Sequence, residues 1–165
     1  MPRCYFRKDC FLSYKRASRA KGTFVCKYLS FYDPHLKEIF RLPLVHIRIK
    51  HKSESLRTIA LVDSGATCSF LPKEIADILE VEFPPETRIS IGAGGLFKTF
   101  LCEIDRIEVL KGMKTCTRFE HIKVHIPAKY DAIPYAILGR DTIFLEHDIT
   151  FREHRRYTVL RQPKK

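Results

Sequence analysis

Residues 60–72 read "ALVDSGATCSFLP", an acid at the end of an apolar run. Ile59, Ala60, Leu61 and Val62 lead into Asp63. Ser64 and Gly65 follow, and the chain turns apolar again at Phe70 and Leu71. Desolvating a carboxylate is costly unless something compensates its charge. Asp, Ser and Gly all favour turns, so the tripeptide alone also suits an ordinary turn. The apolar strand in front of it argues for an acid carried into the interior, where Gly65 lets backbone groups approach closely.

Two further segments stand out downstream. In "ISIGAGGLFK" (89–98), glycines 92, 94 and 95 are flanked by Ile89, Ile91, Leu96 and Phe97. This pattern predicts a hairpin with a flexible tip. A phosphate loop is excluded, because no GK[ST] follows and strand-like residues flank both sides; an inert hairpin stays open. In "YAILGRDTIF" (135–144), a short buried strand ends at Gly139, and Arg140 and Asp141 open a helical turn. A strand-end glycine beside a surface ion pair is the plain alternative.

The rest of the chain is read around these segments. Val45, Ile47 and Ile49 alternate with His46, Arg48 and Lys50, which predicts a half-buried strand, and a more central one follows over 57–62. Residues 72–80 predict a short helix with Pro72 in its first turn and an apolar stripe of Ile75, Ile78 and Leu79. Phe119, Ile122, Val124 and Ile126 predict a strand with a register shift near Glu120. Residues 148–160 predict two strands about a tight turn near 153–155. Many short strands with two short helices indicate an all-β, barrel-like domain.

Residues 1–27 form a basic N-terminal arm with eight Lys/Arg against the single Asp9, and so hold +7 of the formal net charge of +11. Such an arm attracts nucleic acid without reading its sequence, and Tyr5, Phe6, Phe11, Tyr14 and Phe24 add stacking surfaces. A solvated tail explains the same charge. Residues 28–41 read as a connector whose Asp33-Pro34 opens a short helical turn through Phe40. Six cysteines, at 4, 10, 26, 68, 102 and 116, include no CxxC pair, so no metal site is expected and the thiols are expected free. No apolar run approaches the ~18–20 residues that span a bilayer. The basic start lacks the apolar stretch of a secretory signal. The expectation is a cytoplasmic protein with no membrane partner.

Taken in order, the three segments resemble the retropepsin family of aspartic peptidases, the retroviral proteases and their single-domain cellular relatives. The resemblance runs from about Leu42 to Leu160. Asp63, Ser64, Gly65 and Ala66 are similar to the family's apolar-Asp-Thr/Ser-Gly-Ala turn. Ile91, Gly92, Ala93, Gly94, Gly95, Leu96 and Phe97 resemble its flap. Ile137, Leu138, Gly139, Arg140 and Asp141 resemble its second signature. The resemblance implies an all-β fold, a closed β-barrel of the retropepsin (acid protease) type with one or two short helices, over residues 42–162. It implies an aspartic endopeptidase without metal or cofactor, working as a homodimer on a peptide or protein substrate in extended conformation. The catalytic residue is then Asp63, paired with its symmetry mate so that the two carboxylates share one proton. Ser64 would hold the two turns together and Gly65 would offer its backbone to the substrate. Viral members carry an acid shortly after the turn that pairs with the signature arginine. Here Thr67 and Cys68 stand in that region, so Arg140 must find another partner: Asp141, a terminus or the other subunit. A non-catalytic dimerisation or peptide-binding domain is the alternative reading, alongside nucleic-acid binding through residues 1–27.

Overall fold

The computed structural model describes residues 22–33, 36–92 and 94–163. Most of the basic arm, residues 1–21, and Ala93 of the glycine hairpin lie outside them. The chain starts as β1 (Thr23–Lys27), β2 (Leu29–Asp33) and β3 (Glu38–Leu42). The expected helical turn through Phe40 is instead a hairpin, with Phe31 opposite Phe40 and Leu29 opposite Leu42. Asp33 does cap the bend, accepting from Leu36 N at 3.1 Å. Beyond it, aromatic and β-branched residues favour an extended pair that buries one shared face.

The main sheet is built on β4 (Leu44–His51) and β5 (Glu54–Val62). Val45, Ile47 and Ile49 of β4 point into the core, as the period-two alternation requires. A short helix α1 (Lys73–Ile78) follows. Pro72 precedes it, where a missing N–H costs nothing. Its inward residues are Ala76 and Leu79, with Ile75 packed at the core edge, while Ile78 of the expected stripe is exposed.

Next come β6 (Arg88–Gly92), the long β7 (Gly95–Lys111), β8 (Lys114–Pro127) and β9 (Ala136–Leu138). Then α2 (Ile143–Glu146) leads to β10 (Asp148–Arg152), a 3₁₀ turn at Glu153–Arg155, and β11 (Tyr157–Arg161). Strands pair in the order β6-β7-β4-β5-β9, with β8 on the other edge of β7. β1, β11 and β10 form a second sheet, and the β2–β3 hairpin a third. Among the described residues the class is all-β with two short helices. The expected closed barrel is not drawn as one hydrogen-bonded ring, because the strands divide among three open sheets.

The β7–β8 ribbon explains the irregular apolar spacing around residue 120. Ile104, Ile122 and Val124 point inward on one side of the irregularity, and Ile107, Val109 and Phe119 on the other. The facing parity thus switches in both strands at once. His121 there is left-handed (φ 52°), and Ile104↔Ile122 and Arg106↔Glu120 are on the same register. The register shift expected near Glu120 lies instead at Val109/Leu110, where β8 carries one extra residue.

Of the described cysteines, Cys102 and Cys116 are buried and Cys26 and Cys68 half-buried, and Cys26, Cys102 and Cys116 are free thiols. Burial, then the neighbouring Cys116, pushes the Cys26 thiol up to about 11, which makes it a poor nucleophile. The core is a single cluster joining β4, β5, β7, β8 and α1 to Ile143 of α2 and Leu160 of β11. Phe119 is fully buried within it. Phe119→Ala is expected to lose about 3–5 kcal/mol of stability, read as a lower urea midpoint at unchanged slope. Ile78→Ala, on the exposed side of α1, is expected to stay within about 0.5 kcal/mol.

Candidate active site

β5 and β9 run parallel, with Ala60, Leu61 and Val62 beside Ala136, Ile137 and Leu138. Each ends in a loop, and the two loops interlock. Asp63 N donates to Leu138 O at 3.1 Å, which fixes the residue to the second strand as it leaves the first. Its side chain turns back on itself: Oδ1 accepts from Gly65 N at 2.8 Å. This is the local bond that Asp makes at a turn. Asp63 is half-buried, and Ser64 and Gly65 are exposed at the tip.

The second loop crosses the first through its backbone. Arg140 N donates to Ala66 O at 2.9 Å and Asp141 N to Thr67 O at 3.2 Å. Gly139 lies at the crossing, buried, because no side chain fits there. A Cβ would stand 2.6 Å from the Cys68 carbonyl carbon and 3.1 Å from Ala66 O. Farther along, the chain doubles back, and Phe70 and Ile137 exchange both backbone hydrogen bonds at 2.9 Å. β9 is thus held on one side by the strand entering the Asp63 loop and on the other by the segment leaving it.

Ser69, which the sequence did not single out, is the hub beneath the crossing. Its Oγ accepts from Gly139 N at 3.0 Å, donates to Asp141 Oδ1 at 2.8 Å, and lies 2.6 Å from Thr142 Oγ1. Nothing around Ser69 in sequence marks it, since its partners come from the other loop. Asp141 is thereby turned inward, and Arg140 donates its Nη2 to Thr67 Oγ1 at 3.4 Å.

The glycine hairpin forms as expected, with Gly92 opposite Gly95, Ile91 opposite Leu96 and Ser90 opposite Phe97. Gly95 has φ +105°, a conformation that side chains rarely adopt. Ile89, Ile91 and Leu96 are exposed. The hairpin meets the Asp63 loop through Phe97, whose ring centroid lies 6.1 Å from that of Phe70. Tyr135 also belongs to this neighbourhood. Burial and then the Asp63 charge push its phenol up, and Phe31 of β2 packs edge-on against it at 5.5 Å. Among the described residues, no group of three or more His, Cys, Asp or Glu is placed to hold a metal. No described helix is long and apolar enough to cross a membrane.

No family model and no curated protein matches the chain. Among solved structures, a retropepsin-like aspartic protease from Rickettsia conorii aligns with 88% of this chain and 95% of its own, at a TM-score of 0.52 and 14% sequence identity. The two share a fold. At that identity the likeness concerns the path of the backbone.

Gly139→Ala is expected to cost about 1–3 kcal/mol, since the clash is with backbone and a flexible side chain cannot relieve it. Gly94→Ala meets nothing within 4 Å and is expected to stay within about 0.5 kcal/mol. Paired thermal melts of the two variants check both values.

Proposed function

We propose that the chain is an aspartic endopeptidase that acts as a homodimer, with Asp63 as its one catalytic residue per subunit. The observation that carries this reading is the placement of Asp63. Its carboxylate is fixed by Gly65 N at the tip of a loop interlocked with the Gly139 loop. The fold shared with a retropepsin-like aspartic protease supports it. One chain contributes one such acid, and a twofold interface supplies the second.

Two carboxylates brought together in this way share one proton. The ionised partner takes a proton from a water held between them, and that water attacks the peptide carbonyl. The protonated partner polarises the carbonyl oxygen, and a proton then passes to the leaving amine. The substrate lies extended, paired by main-chain hydrogen bonds with pockets for alternate side chains. The β6–β7 hairpin, with Ile91 and Leu96 exposed near its tip, covers it and excludes water.

Cleavage of unfolded protein and mixed peptides between pH 4 and 7 tests this. Asp63→Asn is expected to fold as the wild type does and to lower the rate about 10²–10⁴-fold. Equal cleavage by the two, no cleavage by either, or a strict monomer in sedimentation at high concentration overturns the proposal.

A further inference from the structure

His125 of β8 sits between the hairpin stem and the Asp63 loop, and touches both. On the stem side, its Nδ1 lies 3.2 Å from Thr99 Oγ1 and 3.4 Å from Ser90 Oγ. The two hydroxyls are 2.9 Å apart and both are buried. Ser90 and Thr99 come from β6 and β7, the two legs of the hairpin. On the loop side, the His125 ring packs on Phe70 at 5.4 Å, and Phe70 packs on Phe97 of the hairpin. Its backbone N donates to Ser69 O and its O accepts from Leu71 N. We infer that His125 is a positioning residue that clamps the β6–β7 hairpin to the Asp63 loop, and that the clamp loosens in acid.

The chemistry follows from the donor inventory. With Nδ1 unprotonated, Ser90 donates to Thr99 and Thr99 donates to the ring, so each hydroxyl proton has an acceptor. A protonated ring has donors on both nitrogens and accepts nothing. The chain of hydroxyls must then reverse, with a buried cation beside it. Two charged groups face the ring from neighbouring elements: Arg88 of β6, which disfavours the cation, and Asp141 of the second loop, which favours it. Burial is the largest influence and acts with Arg88 against Asp141, so the ring's pKa lies below the usual 6.5. The sign is therefore fixed. The clamped state binds fewer protons than an opened one below pH 6.5, so clamping is complete above that pH and is lost progressively as the pH falls.

His147 complicates any global measurement. It is also buried, with its pKa held down chiefly by desolvation, so overall stability also falls in acid for reasons unrelated to the hairpin. The test must be local. We expect amide-exchange protection of residues 88–99, corrected for the intrinsic pH dependence, to fall at least about three-fold between pH 7.5 and 5.0. Residues 148–161, next to His147, serve as the internal reference and are expected to change less. In His125→Gln, which keeps a hydrogen-bonding amide but cannot titrate, the hairpin-specific change is expected to vanish. If residues 88–99 merely track residues 148–161 in the wild type, or if the hairpin-specific change persists in His125→Gln, the inference fails. The wild-type comparison decides the matter even if the variant does not fold. The role of the hairpin as a cover rests on the peptidase reading, but the exchange measurement needs no substrate and stands if that reading falls. In an active enzyme, the wild-type KM is expected to rise below pH 6.5 relative to that of His125→Gln, with kcat changing less.

Discussion

The structure turns on a place where a side chain is missing. Parallel strands cannot be joined by a tight turn, so β5 and β9 meet only after the chain has built α1 and the β6–β8 ribbon. What locks them is the crossing of their loops at Gly139, where the backbone of one lies against the backbone of the other. The bonds from Arg140 N and Asp141 N to the Asp63 loop need that closeness. The exchange between Phe70 and Ile137 and the bonds of His125 to Ser69 and Leu71 tie the same two loops to the sheet. The site is thus assembled from residues distant in sequence, and non-local pairings of this kind go with slow folding.

This explains which parts of the molecule were legible in the sequence. Asp63, Gly65, the hairpin glycines and Gly139 announce themselves because turn chemistry and strand alternation are local. Ser69, His125 and Tyr135 do not, because each owes its environment to a segment far away. Arg140 shows the same limit from another side. Its candidate partners included Asp141, yet Ser69 turns Asp141 inward, and the guanidinium reaches Thr67. Ring closure of the sheets was likewise beyond a sequence pattern, since strand pairing across the molecule leaves no periodic trace.

Local signals also misled where two of them competed. Asp33 makes the capping bond that a helical turn would use. The outcome is nevertheless a hairpin, in which Phe31 and Phe40 face each other across the strand pair. In the β7–β8 ribbon, the odd spacing of Phe119 and Ile122 did signal an irregularity. A left-handed His121 accounts for it and swaps the inward face, with the same register kept on either side.

The second sheet has a property that concerns the chain as a line rather than as a surface. β1 pairs with β11 so that Thr23 lies opposite Arg161, and Gln162 N reaches Gly22 O at 3.4 Å. The described fold therefore begins and finishes on one rung of a ladder, and its backbone path is almost a loop. Connectivity and architecture are separable in such a fold. A short splice between residues 162 and 22 would leave every strand neighbour in place. The exposed turn at Gly112 and Met113, between the two longest strands, would then serve as a place to open the circle.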